Sequence, residues 1–288
     1  TWGGTLAAVQ AFAATELPEP ASQRALAKVQ REVVCKVATQ LGNTPAVCRK
    51  AYIDPCVFAG WERGELAELA GEFHQWLTTT VRTGEATADS FIGALARHRL
   101  PDGAPLDPQT AVAACFFVFI AGQSTTGQLI ATVLRRALSE PGLWPRVAQE
   151  EEAAGAWVEE VLRREPPVTT WRRVVARPVE LGGVKLPAGA QLLLMLMGSG
   201  SDPEVFTDPE RMCPHRANIR HHLAFGTGRH RCPGASLART EAAVALRAAA
   251  RGLPKARLVE GAEGTPMLGL LSFRAPLRVA VAESPFNG

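Results

Sequence analysis

The chain has 288 residues, 47% hydrophobic and 20% charged, with a net charge of +3. That supplies a core for one or two packed domains, excludes a disordered chain, and gives little general attraction for nucleic acid. The cysteines, Cys35, Cys48, Cys56, Cys115, Cys213 and Cys232, show neither zinc-site nor secreted-disulfide spacing, and no leader or membrane run is evident, so a cytoplasmic protein without a membrane partner is expected.

The first sixty residues read as helices: Leu6 to Thr15, then Ala21 to Leu41, with Leu26, Val29, Val33 and Val37 on one stripe and Gly42 as the stop. Thr44 and Pro45 open a third helix carrying Arg49, Lys50 and Tyr52, the only tyrosine. Taken alone, Tyr52 reads as a partly buried aromatic whose hydroxyl finds a hydrogen bond. Thr1 to Thr5 together with Leu41 to Pro55 resembles the C-terminal end of bacterial type IB DNA topoisomerases. The resemblance implies that Tyr52 attacks a DNA phosphodiester, that Asn43 bonds the phosphate, and that DNA is a weak partner of residues 1–61. That family's catalytic arginines and general-acid lysine have no counterpart here. Arg49 and Lys50 flank Tyr52 on one short helix and do not surround a phosphate, so DNA relaxation is not expected.

A join is predicted near Val57 to Gly64, with a second domain over 62–288. Glu65 begins an amphipathic helix through Phe73, Trp76 and Leu77 that ends at Thr83-Gly84, and another spans Ala86 to His98. Asp107 to Glu140 then reads as one long helix, capped by Asp107, entered by Pro108 and stopped by Pro141-Gly142. Its apolar run, Ala111 to Gly122, falls short of the about 20 residues that span a bilayer, which predicts a buried core helix. Ala121-Gly122-Gln123-Ser124-Thr125-Thr126 lies in its middle. On the residues alone, Thr125 reads equally well as a helix threonine bonding its i−4 carbonyl.

A later helix carries Glu160-Val161-Leu162-Arg163, whose charged ends share a face and read, in isolation, as a solvated ion pair. Val179 to Gly189 reads as a hairpin, and Arg173 as a strand-end surface residue. Near the C-terminus, the run Ala224-Phe225-Gly226-Thr227-Gly228-Arg229-His230-Arg231-Cys232-Pro233-Gly234-Ala235 places a cysteine on a glycine-softened loop before a helix from about Pro233 to Arg251. The helix dipole and the nearby arginines favour thiolate at Cys232. A buried structural cysteine and a solvated loop histidine are the plain readings of Cys232 and His230.

Phe225, Gly228, Cys232 and Gly234 match the haem loop of cytochromes P450, Phe-x-x-Gly-x-x-x-Cys-x-Gly, and the chain from about Glu65 to Glu283 resembles the later part of that family. The resemblance implies a mainly α fold with small β-sheets, haem b with its iron on Cys232, and propionate contacts from His230 and Arg173. It also implies a Glu160–Arg163 brace completed by Arg211 of Pro209-Glu210-Arg211-Met212, Met212 replacing an aromatic. Ala121 to Thr126 resembles the oxygen-activation motif: Thr125 would order water or oxygen, whereas Ser124 stands in place of an acid and relays protons poorly. Ser199-Gly200-Ser201-Asp202-Pro203 departs from the family's Ala-Asn-Arg-Asp-Pro, which predicts a weakened local brace. The family's N-terminal helices and strands have no recognisable counterpart, so a truncated fold behind a topoisomerase-like segment is expected. The implied activity inserts oxygen from O2 into a small organic substrate, impaired by the truncation. Electrons would come from a ferredoxin and its reductase, with Arg229, Arg231 and Arg239 receiving an acidic partner. Two other readings stand: a DNA-cleaving protein acting through Tyr52, and an inactive fusion remnant that at most binds haem.

Overall fold

The structure, a computed structural model, describes residues 8–9, 11–40, 44–51, 53, 55–83, 89–259, 265–268 and 272–283. The chain forms two compact units, 1–123 and 124–288. In the first, α1 spans Gln23–Gln40, α2 Pro45–Ala51, α3 Pro55–Glu62, α4 Glu65–Thr83 and α5 Phe91–Arg97. The predicted stripe of α1 is the buried one: Val33 and Val37 join Phe12, Ile53, Val57 and Trp61, with Leu26 and Val29 at the edge. Phe12 meets Phe58 edge-on at 5.3 Å, and Trp61 Nε1 donates to the Thr15 carbonyl at 2.8 Å. Gln30 is buried in α1, where its amide nitrogen donates to Glu62 at 2.6 Å and its oxygen accepts from Arg49 at 2.9 Å. The Arg49 guanidinium also lies 4.7 Å over the Phe58 ring. Arg49 is thus committed to satisfying a buried amide.

The domain join expected near residue 61 is a turn inside this core. Gly64 takes φ +75 between α3 and α4, and Leu66 packs on the same cluster as Trp61. The two units instead divide between Gln123 and Ser124, within α6, Pro108–Ser139. The expected helix from Ala86 starts later, because Ser90 caps α5 by accepting the Gly93 amide at 3.0 Å; residues 84–88 lie outside the described set.

α6 begins as predicted. Asp107 accepts the Thr110 amide at 2.9 Å, and this bond with that of the Thr110 hydroxyl holds the carboxyl below the usual range. Ala111, Val112 and Cys115 pack with Leu77 and Val81 of α4, while Leu129, Val133 and Ala137 enter the core of the second unit. Phe117, Val118 and Phe119 between them are exposed, so the predicted burial holds only for part of the helix. By length and composition α6 is apolar enough to cross a membrane, a property that core helices of water-soluble proteins share.

The second unit contains α7 (Leu143–Gln149), α8 (Glu151–Arg164), α9 (Leu196–Ser199) and α10 (Ala235–Gly252). Trp144, Val147, Trp157, Val161 and Leu246 form its core, and Trp144 Nε1 donates to the Leu253 carbonyl at 2.8 Å. Three two-stranded antiparallel sheets flank it: β1 (Thr170–Val174) pairs with β4 (Gln191–Met195), β2 (Val179–Leu181) with β3 (Val184–Leu186), and β5 (Ala256–Leu258) with β6 (Val281–Glu283). The β2–β3 hairpin is the predicted one, its turn made by Gly182 and Gly183 at φ +56 and +78, the pairing that matches strand twist.

The weakening expected at Ser199 to Pro203 is not what forms. Ser199 Oγ donates to the Leu196 carbonyl at 2.6 Å and accepts the Leu223 amide at 3.0 Å, while Ser201 Oγ accepts from Arg164 at 2.6 Å. Short hydroxyls here take up backbone and guanidinium groups locally. Gly200 is buried against α8, and a Cβ there would collide with the Arg163 carbonyl. Gly200→Ala should therefore lower the urea midpoint by an amount equivalent to about 2 kcal/mol or more, since backbone must move to admit one methyl.

Candidate functional site

Cys232 sits on the segment between α9 and α10, just before α10. Gly226 and Gly228 hold φ +66 and +65, the left-handed region that favours glycine, and the loop tightens through a 3-10 turn at Gly228–His230. The Cys232 amide donates to the Phe225 carbonyl at 2.9 Å, folding the cysteine back onto the loop stem. α10 starts at Ala235, two residues after the predicted first position, with Gly234 as its N-cap. The plain reading of a buried structural cysteine fails, because Cys232 is exposed and forms no disulfide. Phe225 is half-buried, its ring beneath the Arg239 guanidinium at 4.5 Å.

On α8, the Glu160–Arg163 pair is the opposite of solvated: both side chains are 0% exposed. Arg163 Nε and Nη2 bond the two Glu160 oxygens at 2.8 and 2.7 Å. Its other donors reach the carbonyls of Gly200, Pro209 and Arg211, so every guanidinium N–H has an acceptor. The ring of Phe206 packs against it at 5.2 Å. Glu160 also accepts the Cys213 amide at 2.7 Å.

The expected third member, Arg211, contributes its carbonyl, and its residue is exposed. Arg216 takes the role instead. Its Nε reaches Glu160 at 3.4 Å, and its remaining donors bond the carbonyls of Thr207, Asp208 and Arg211. Asp208, whose carbonyl accepts from Arg216, holds φ +47. Met212, which stands in place of an aromatic as the resemblance noted, packs partly buried on the core.

Next to Glu160, Glu159 holds a second buried cluster that the sequence did not disclose. It accepts from Arg239 Nε at 2.7 Å and Nη2 at 2.6 Å and meets His222 Nε2 at 3.1 Å. Burial pushes the Glu159 carboxyl up, but the bonds from Arg239 and His222 more than offset it, and its pKa falls to about 2. The only signal was two adjacent glutamates inside an otherwise apolar stretch, Trp157 to Leu162. Arg239, expected to greet a partner, is thus engaged internally; Arg229 and Arg231 remain exposed.

The other predicted residues spread out. Ser124 and Thr125 are half-buried on α6, where Ser124 Oγ accepts from Gln128 at 3.2 Å. An added Cβ at Gly122 would meet nothing within 4 Å. Arg173 is exposed on β1 and bonds the Arg172 carbonyl at 2.9 Å, and His230 is exposed at the loop turn. Tyr52 and Asn43 lie outside the described residues. The structure thus gathers Phe225, Gly228, His230, Cys232 and Gly234 on one loop, and Glu160 with Arg163 in the core of the second unit.

That loop suits an iron porphyrin. Gly228 borders open space, Gly234 leaves the Cys232 sulfur clear at 3.9 Å from where a Cβ would stand, and the single thiol needs no companion ligands when the ring supplies the rest. Among the described residues no group of three or more His, Cys, Asp or Glu side chains could cage a bare metal ion.

The family model described as Cytochrome P450 matches residues 65–249. The plant-inducible cytochrome P450-pinF1 of Rhizobium radiobacter is 30% identical over 232 residues, covering 77% of this chain and 55% of that protein. Cytochrome P450 monooxygenase PikC of Streptomyces venezuelae is 35% identical over 188 residues, 64% of this chain and 43% of that protein. The chain spans about half the length of these curated relatives. The crystal structure of Mycobacterium smegmatis CYP164A2 with econazole bound superposes with a TM-score of 0.65 at 27% identity, covering 97% of this chain and 72% of that one. Such coverage takes in most of the first sixty residues, and nothing in these likenesses supports a separate topoisomerase-like segment.

Two outcomes follow for these buried clusters. Arg216→Ala should cost about 3 kcal/mol or more in denaturant unfolding, because it removes a partner of fully buried Glu160, while Arg211→Ala should stay within about 0.5 kcal/mol. The depressed Glu159 pKa adds stability that is complete above pH 4.5 and lost as the pH falls from 4.5 towards 2. Glu159→Gln should accordingly flatten the pH slope of stability in that window by up to one proton, read from denaturation curves at successive pH values.

Proposed function

The chain belongs to the cytochrome P450 family, and we propose that it is a haem-thiolate monooxygenase of small organic substrates, with Cys232 as the iron ligand. The observation that carries this reading is an exposed thiol on a glycine-bent loop, its amide tied back to the Phe225 carbonyl. Membership implies haem b held by a cysteine thiolate. When bound, that group supplies activation of O2, one oxygen atom entering the substrate and the other leaving as water with two electrons and two protons.

The chain's own residues do the rest. Cys232, at the entrance to α10, offers its sulfur where the helix N-terminus favours negative charge. Gly226 and Gly228 let the backbone approach a flat ring, and Phe225 and Gly234 fix the loop on either side. Exposed His230 and Arg173 serve as propionate partners. Thr125 orders water on α6, and Ser124, tied to Gln128 rather than ionised, passes a proton less readily than a carboxylate would. Electrons come from a ferredoxin and its reductase, an acidic partner meeting exposed Arg229 and Arg231. No specific observation favours DNA chemistry at residues 1–61: Arg49, one of the cations near Tyr52 in sequence, is occupied by Gln30 and Phe58.

The test is spectroscopic. The haem-reconstituted, reduced chain should show a CO band displaced to long wavelength, and Cys232→Ala should lose that band while keeping its helical circular dichroism. An unchanged CO spectrum in Cys232→Ala would sink the assignment.

A further inference from the structure

We propose that Glu159, His222 and Arg239 are positioning residues for Cys232, holding the cysteine loop by both of its ends. The Glu159 carboxylate, 6% exposed, gathers two groups from opposite sides of the loop. His222 stands at the entrance, ten residues before the cysteine, and is 2% exposed. Its Nδ1 accepts the Ala224 amide at 3.2 Å, which assigns the proton to Nε2, the atom facing Glu159 at 3.1 Å. The incoming backbone is therefore fastened to Glu159 through one imidazole.

Arg239 lies beyond the loop, in the second turn of α10, and gives Glu159 a bidentate bond. The opposite use of its flat guanidinium is to cover the Phe225 ring at 4.5 Å. Phe225 in turn accepts the Cys232 amide through its carbonyl. Each end of the loop is thus joined to one carboxylate by two links. α8 is a rigid post for that carboxylate, since Glu160 and Arg163 anchor the same turn. The contacts of the three side chains are with one another and with the loop at Ala224 and Phe225, so their effect is on where the sulfur stands.

Amide hydrogen exchange of the haem-free chain, read by mass spectrometry, provides a test that does not need the haem reading to be right. Glu159→Gln keeps the shape and strands the Arg239 charge. Exchange over residues 223–232 should rise about tenfold or more, while the segment around Leu246 in α10 stays as in the parent chain. Arg239→Lys, which keeps the charge but loses the fork and the stacking, should give a smaller rise and serves if Glu159→Gln does not fold. In the double variant Glu159→Gln with Arg239→Gln no charge is stranded, so the denaturation midpoint should recover while the loop stays exposed to exchange. After haem loading, the single variant should shift part of its reduced CO absorbance from the long-wavelength to the short-wavelength band. Unchanged loop exchange in both single variants, or a rise spread evenly through α8 and α10, would overturn the proposal. Failure of the parent chain to take up haem would defeat the monooxygenase reading and leave the exchange result standing.

Discussion

An ion pair with no solvent exposure at all, Glu160 with Arg163, sets the terms for the second unit. Taking two charges out of water costs several kcal/mol each unless every donor and lone pair is met. That requirement explains why so much irregular backbone is fixed around α8. The segments at Gly200, Pro209, Arg211 and Cys213 have no sheet or helix to order them, and they acquire a defined course because their polar groups complete the pair's hydrogen bonding. The pair organises its surroundings more than it stabilises them outright.

Glu159 extends the same logic to a neighbouring surface. Successive residues on a helix point about 100° apart, so adjacent glutamates on α8 address different elements. One carboxylate meets the meander before the cysteine loop, the other meets the loop and α10. A single helical turn therefore relates the brace and the loop without either glutamate moving. The hydroxyl of Ser199 supplements this by holding the Leu223 amide, one residue from the amide that His222 accepts.

Much of this was legible in the sequence, for physical reasons that differ by element. α1 and α6 announced themselves through periodicity and caps, and the β2–β3 hairpin through its paired glycines. The cysteine loop was legible because its chemistry demands fixed spacing. Arg216 was not, because it acts through the carbonyls of an irregular stretch that no periodicity or spacing announces. Glu159, His222 and Arg239 are far apart in sequence and individually ordinary, and only their convergence gives them meaning. The supposed join near residue 61 followed from two family resemblances meeting there, whereas Trp61 and Leu66 share one core. Exposure of Phe117 to Phe119 also escaped, since an apolar run states preference and not surroundings.

Between Phe206 and Cys213 the meander is held by Arg163 and Arg216 through main-chain atoms, with Glu210 adding one side-chain pair to Arg164. Arg163 and Arg216 read the carbonyls of Thr207, Asp208, Pro209 and Arg211. A carbonyl is the same whatever side chain it belongs to, so the information that shapes this stretch resides in the two arginines rather than in the stretch itself. Glu210 is tied to Arg164 through its carboxylate, but the exposed side chains of Thr207 and Arg211 are free to vary, and new contacts can be written there while the path of the chain beneath them stays unaltered.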